Sequence, residues 1–193
     1  VNLVQRRQMT ILGGNVQALA VDGKFDDCQA MVNEAFVDEG MKRFLLTSAN
    51  SIDVGRLLPQ AVYYFSTYGK LQKRGREIVF SVPSGNFGNL MAGLIAKRMG
   101  LPILQYIAAT NENDEFSKFL KTGVYHPIVP SKMCLSNAMN VGHPSNLARI
   151  IALYEGSMNE KGEILKTPNL ENMRQDIWAL SISDKETKKT MRK

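Results

Sequence analysis

Cysteine, histidine and long apolar runs are all scarce in this sequence. Its 193 residues include two cysteines, Cys28 and Cys134, and two histidines, His126 and His143. The cysteines lie far apart and outside any CxxC motif, which argues against a disulfide framework and makes a reducing, cytoplasmic compartment the expectation. Together the four residues could in principle bind zinc, but no spacing favours it. Loop histidines, core cysteines and no metal are expected. No stretch approaches the roughly 18 consecutive apolar residues that a membrane-spanning helix needs, so no membrane partner is expected. Gln5-Arg6-Arg7-Gln8 leads into a mixed segment and gives no signal-peptide pattern. Val1 in place of Met reads as a processed chain or a piece of a longer one.

A basic patch is also lacking. The formal net charge is +6, but the last ten residues carry five basic side chains against two acidic ones, a net +3. That segment reads as a solvated helix face or a frayed end. The rest is spread thinly, with no Lys/Arg run interleaved with aromatics, so no nucleic-acid partner is expected. Apolar residues at 44% and charged residues at 22% are ordinary for a soluble globular chain.

What is present is an alternation of strand-like and helix-like segments. Val16 to Val21 reads as a strand closed by the Asp22-Gly23 turn. Asp26 or Asp27 can then cap a helix through about Val37, and Phe44 to Thr47 reads as a short strand. A helix is expected from Val54 to Gln72, with Leu57, Leu58, Ala61, Val62 and Phe65 on its apolar side and a bend at Pro59. Ile78 to Val82 reads as a strand, Leu90 to Met99 as a helix stopped by Gly100-Leu101-Pro102, and Ile103 to Ala108 as another strand. Asp114 to Leu120 and Asn146 to Glu155 read as helices, and Tyr125 to His143 as loop. The fold class that follows is α/β, a mainly parallel open sheet flanked by helices.

The segment with the most chemistry is Ser84-Gly85-Asn86-Phe87-Gly88-Asn89, between a strand and a helix. Such a turn presents backbone N–H groups at the positive end of a helix dipole, a ready site for a phosphate. Neither nucleotide fingerprint fits. There is no Gly-Lys-Ser/Thr ending, and the glycine spacing is Gly85-x-x-Gly88 where a dinucleotide loop needs Gly-x-Gly-x-x-Gly. Two readings stay open on the residues alone. One is a tight turn that binds nothing; the other is a cradle for one small phosphate, with Ser84, Asn86 and Asn89 adding side-chain hydrogen bonds.

In its wider setting the loop, continued by Leu90-Met91-Ala92-Gly93-Leu94-Ile95-Ala96-Lys97, closely resembles the cofactor-phosphate loop of the threonine synthase family. Upstream, Leu12-Gly13-Gly14-Asn15, Asp22-Gly23-Lys24-Phe25-Asp26-Asp27-Cys28-Gln29 and Ser48-Ala49-Asn50-Ser51-Ile52-Asp53-Val54-Gly55-Arg56-Leu57 resemble further segments of that family. Downstream, Ala109-Thr110-Asn111-Glu112-Asn113-Asp114 and Leu135-Ser136-Asn137-Ala138-Met139 continue the match in order to about residue 155. The resemblance implies a pyridoxal-phosphate enzyme of the tryptophan-synthase-β type (fold type II) that converts O-phosphohomoserine and water to threonine and phosphate.

By that resemblance Ser84, Gly85, Asn86, Phe87, Gly88 and Asn89 hold the cofactor phosphate. Ser48, Asn50, Ser51 and Arg56 face the substrate; an arginine at a helix start can grip a phosphate or carboxylate bidentately, or form an ordinary salt bridge. Asp53 departs from the family's usual Asn-Ser-Ile-Asn and reads as a helix cap. The family's Schiff-base lysine belongs to a Phe-Lys-Asp-type motif that this chain does not contain, and the hydroxyl partner of the ring nitrogen is expected beyond residue 193. No catalytic residue is therefore expected here. Residues 1–46 are expected to belong to the smaller domain and 47–193 to the larger, cofactor-phosphate-binding one. An internal piece of this kind is expected to be inactive alone and, with apolar faces uncovered, to self-associate. The alternatives are a related pyridoxal-phosphate enzyme such as a threonine dehydratase, or a non-catalytic phosphate-binding module.

Overall fold

A computed structural model of the chain describes residues 3–51 and 53–192. Val1, Asn2, Ile52 and Lys193 lie outside the described residues, as do the side chains of Phe25 and Asp26. The chain divides into two compact units, residues 1–46 and 47–193.

The first unit contains α1 (Leu3–Thr10), α2 (Phe25–Val37) and a 3₁₀ turn (Glu39–Phe44). At the start of α2 the Asp27 carboxylate accepts from the Lys24 N–H at 2.7 Å, so Asp27 serves the helix start from its third position. The two strands expected here do not form. Residues 16–21 are irregular, with Val16, Leu19 and Val21 exposed, because a strand has no stability without a ladder partner for its N–H and C=O groups. Phe44 ends the 3₁₀ turn and Leu45 takes a left-handed conformation at φ 49°, which breaks an extended run. None of the described residues of this unit is buried.

The core lies in the second unit. Its first helical stretch is broken at Pro59 into α3 (Val54–Leu57), a 3₁₀ turn (Leu58–Gln60) and α4 (Ala61–Leu71). The buried stripe is Leu57, Ala61 and Tyr64, with Tyr68 and Leu71 packed against the core. Leu58, Val62 and Phe65, expected on the apolar side, are exposed. The stripe keeps helical spacing through the 3₁₀ turn and is centred on Tyr64, whose ring fills more core volume than Val62 would.

β1 (Val79–Pro83), α5 (Gly88–Arg98) and β2 (Gln105–Thr110) follow. β1 and β2 pair in parallel from Val79↔Gln105 to Pro83↔Ala109. α5 ends in two backbone bonds, Gly100 N–H to Lys97 C=O at 3.0 Å and Leu101 N–H to Ala96 C=O at 3.0 Å, with Gly100 at φ +99°. That is the Schellman stop that the Gly-Leu-Pro run predicts. Leu90 and Leu94 are fully enclosed, each contributing about 2 kcal/mol by burial.

α6 (Glu115–Thr122), a 3₁₀ turn (Asn137–Met139) and α7 (Leu147–Leu153) come next. Beyond them are a short antiparallel pair, β3 (Ser157–Met158) with β4 (Ile164–Lys166), then α8 (Leu170–Asp176), β5 (Ile177–Ser181) and α9 (Asp184–Met191). β5 pairs in parallel with β2 from Tyr106↔Ile177 to Thr110↔Ser181, giving the sheet order β1-β2-β5. The basic tail is α9, a solvated helix capped by Ser183 and Glu186. No helix among the described residues is long and apolar enough to cross a membrane.

Candidate functional site

β1 ends at Pro83, and the backbone turns through Ser84–Phe87 into α5. Phe87 makes the turn in the left-handed region at φ 59°. A non-glycine residue is held there by its ring, which is 2% exposed and packs against Phe116 at a centroid distance of 4.8 Å. The first intrahelical bond is Met91 N–H to Phe87 C=O at 2.9 Å, so the amides of the first turn, Gly88 to Leu90, precede the helical ladder. With the helix dipole behind them they favour an anion.

The side chains of the loop divide the work. Ser84 is buried, its N–H bonded to Ala109 C=O at 2.8 Å and its hydroxyl donated to Val82 C=O at 2.7 Å; it ties the loop to the sheet. Asn86 Oδ1 accepts from Ser145 N–H at 2.6 Å and from Ser145 Oγ at 3.0 Å. Asn86 Nδ2 is buried without a hydrogen-bond partner. A buried donor left unpaired costs about 1–3 kcal/mol, a deficit that an acceptor in the cradle removes. Asn89, exposed at the start of α5, takes the Tyr64 hydroxyl on its backbone and side-chain oxygens.

The glycines are places of close approach. A Cβ on Gly85 would lie 3.0 Å from Met139 Cα and 3.1 Å from Ala138 O; one on Gly88 would lie 2.8 Å from Ser51 Cβ. The Gly85–Asn89 loop is thus wedged between the 136–139 turn and the Ser48–Ser51 turn.

Ser48–Ser51 is a tight polar turn: Asn50 N–H bonds to Ser48 Oγ at 3.1 Å, and Asp53 N–H to Asn50 C=O at 3.0 Å. Asp53 caps α3 by accepting from Gly55 N–H at 2.8 Å. Ser48, Asn50, Ser51, Arg56 and Gln60 line an open hollow of about 590 Å³. Arg56 is exposed, and among the described residues no carboxylate is within salt-bridge distance of it. Its guanidinium is available to an anion from solvent.

Residues that sequence reasoning did not assign to the site join these parts. Asn146, fully buried, donates from Nδ2 to Asn86 C=O and to Ser51 Oγ, both at 2.9 Å. Arg149 donates to Asn146 Oδ1 and to Ser51 C=O, both at 2.6 Å. Asn146 stands at the N-cap position of α7, yet its side chain makes no cap bond; a sequence signal there points to a cap and nothing else. Tyr64 joins α4 to the start of α5 in the same way, and burial pushes its phenol well above its ordinary range, keeping it a neutral donor.

On the other side, an asparagine network fixes the 136–139 turn. Asn111 Nδ2 donates to Asn140 Oδ1 at 2.8 Å and to Ser136 C=O at 3.3 Å. Asn113 Nδ2 donates to Asn111 Oδ1 at 2.8 Å and to Lys132 C=O at 3.0 Å. A largely apolar cavity of about 480 Å³ lies there, lined by Pro83, Ala109, Thr110, Ser136–Met139, Ile182 and Thr187. It sits at the carboxyl ends of β1, β2 and β5, where ligands of open parallel sheets bind.

Glu115, 3% exposed at the start of α6, has its pKa raised to about 7, chiefly by burial. Lys97 is engaged with Asp176 at 2.6 Å and with Leu104 C=O. Among the described residues no group of three or more His, Cys, Asp or Glu side chains could hold a metal ion.

Comparison with known proteins gives a consistent picture. No family model matches the chain. It is 42% identical over 197 residues to threonine synthase of Serratia marcescens, a match covering 98% of this chain and 41% of that protein. The crystal structure of threonine synthase from Escherichia coli superposes with a TM-score of 0.79 at 41% identity, over 94% of this chain and 40% of that one. The crystal structure of PLP-bound threonine synthase from Brucella melitensis gives 0.79 at 37% identity, over 97% and 43%. The chain spans about two fifths of the length of the relatives it matches.

Proposed function

We propose that this chain, related to the threonine synthases over almost its whole length, is the segment of such an enzyme that holds the phosphate of pyridoxal 5′-phosphate. The enzyme so formed would convert O-phospho-L-homoserine and water to L-threonine and phosphate in the cytoplasm. On this reading residues 1–46 belong to its smaller domain and 47–193 to its larger one. The observation that carries the cofactor reading is the unpaired, buried Asn86 Nδ2 beside the amides at the start of α5.

The residues present fit a phosphate. Amides of Gly85 to Asn89 and the Asn86 side chain supply donors, and the α5 dipole supplies positive potential without a lysine in the loop. Phe87, buried against Phe116, keeps the cradle preformed. When bound, the cofactor supplies an electron sink that stabilises negative charge on the substrate carbon joined to it. Ser48, Asn50, Ser51 and Arg56 would bind and orient the anionic substrate, with Arg56 as the cationic clamp. The apolar cavity at the strand ends would exclude water from the reacting groups.

No lysine of this chain lies in the family's Schiff-base motif, so the chain alone is expected to be inactive. The full coding sequence that carries it, supplied with pyridoxal phosphate, should release inorganic phosphate from O-phospho-L-homoserine and form threonine. Consumption of threonine without phosphate release from phosphohomoserine would assign it to dehydratase chemistry and refute the proposal.

A further inference from the structure

We infer that Asn146 is a positioning residue that couples the cofactor-phosphate cradle to the substrate turn, so that filling the first orders the second. The inference rests on the phosphate reading proposed above. A carboxamide NH₂ has two hydrogens, and Asn146 gives one to each loop: Asn86 C=O on the cradle and Ser51 Oγ on the turn, both at 2.9 Å. Its own oxygen is fixed by Arg149, which also holds Ser51 C=O, each at 2.6 Å. The side chain is fully buried, so water does not compete for either bond.

The direction of coupling follows from peptide chemistry. Asn86 C=O and Phe87 N–H belong to one amide. An anion drawing on that N–H polarises the carbonyl, which strengthens the bond from Asn146 Nδ2 and fixes its second hydrogen on Ser51. The preceding residue works in the same sense, since Ser145 N–H and Oγ both hold Asn86 Oδ1 and so fix the orientation of that carboxamide. Gly88 completes the contact: with no Cβ, it lets Ser51 approach until an added methyl carbon would be 2.8 Å away. The start of α7 thus ties together two loops that it contacts 95 and 60 residues back along the chain.

The test uses the 193-residue chain, isotope-labelled and titrated with pyridoxine 5′-phosphate, which carries the phosphate but no aldehyde to react with surface lysines. In the unmodified chain the amide signals of Gly85–Asn89 and those of Asn50 and Ser51 should shift together, with one midpoint. Asn146→Asp keeps the size and the Arg149 contact but removes both donated hydrogens. Its cradle signals should still respond, at a midpoint about three- to ten-fold higher, the fold-change expected for one hydrogen bond. The Asn50 and Ser51 signals should no longer respond.

A purely structural role would not separate the two sets of signals. Ser51→Ala, which deletes a single acceptor in the turn, should likewise silence Asn50 while the cradle responds, and it carries the test if Asn146→Asp does not fold. Asn50 and Ser51 following the ligand in these variants as they do in the unmodified chain would overturn the coupling. No response at Gly85–Asn89 in the unmodified chain would overturn the phosphate reading itself.

Discussion

Replacing Gly93 with alanine in the middle of α5 sets helix propensity against packing. Intrinsic propensity favours alanine over glycine in a helix interior by about 1 kcal/mol. In the folded chain, however, the new Cβ would lie 2.7 Å from Tyr106 Cε1 and 2.8 Å from Tyr64 Cζ, inside contact distance of two rings that are 0% and 3% exposed. Neither ring is free to retreat. Tyr106 donates its hydroxyl to Gly93 C=O at 2.6 Å and Tyr64 donates its own to Asn89 C=O at 2.9 Å, while the two rings and Phe80 pack on one another. Overpacking a filled core costs about 1–3 kcal/mol, and displacing the rings forfeits about 1 kcal/mol for each hydroxyl bond. Set against the propensity gain, G93A should destabilise by about 2–4 kcal/mol, which lowers the melting temperature by on the order of 10 °C at this size. Urea unfolding at constant m-value measures it. An unchanged or raised midpoint would refute the packing argument, and with it the claim that Tyr64 is held in place to serve Asn89.

Glu115 makes stability pH-dependent. Its folded pKa of about 7 lies above the ordinary carboxylate value, so the folded chain holds the proton to higher pH than the unfolded chain does. Stability should therefore fall as pH rises from about 4.5 to about 7, by on the order of 3 kcal/mol. Glu115→Gln should flatten that slope, which urea midpoints at about pH 5 and pH 8 would report. Gly100→Ala has nothing within 4 Å to strike, yet at φ +99° it should destabilise by about 1–2 kcal/mol from backbone strain alone, read in a thermal melt. Arg56→Ala in the full-length protein should raise KM for O-phosphohomoserine by about tenfold or more while leaving cofactor-phosphate affinity unchanged. Equal losses in both would remove Arg56 from the substrate side.

Strand-to-helix punctuation made the turn between β1 and α5 legible. Pro83, Gly85 and Gly88 mark a turn, and the Gly-Leu-Pro stop closes the helix behind it. Pro59 likewise announced its break. The failures share a cause in tertiary context. Val16–Val21 and Phe44–Thr47 have strand-like composition, but composition does not supply a ladder partner, and Leu45 turns left-handed. Along α3 and α4 the buried stripe keeps helical spacing through Pro59, but it is centred on Tyr64 and Tyr68, whereas the more apolar Leu58, Val62 and Phe65 lie one residue round the helix and are exposed. β5 carries no punctuation at its start: α8 runs from Asp176 straight into Ile177, without glycine or proline between. Asn146 and Arg149 are the deepest omission. Local sequence places an asparagine at a helix start as a cap, whereas both of its hydrogens go to loops far away in the chain.

The central claim is that the loop at the start of α5 is built for the phosphate of a pyridoxal cofactor. Competitive binding to the 193-residue chain tests it most directly, with pyridoxine 5′-phosphate, pyridoxine and inorganic phosphate as the three ligands. The account predicts that pyridoxine 5′-phosphate binds at least about tenfold more tightly than pyridoxine, since charge-assisted bonds to the phosphate contribute about 1.5–3 kcal/mol each. Inorganic phosphate should displace it, and the perturbed amides should be those of Gly85 to Asn89. Equal affinity for pyridoxine with and without its phosphate, or perturbation confined to residues away from that loop, would contradict the account.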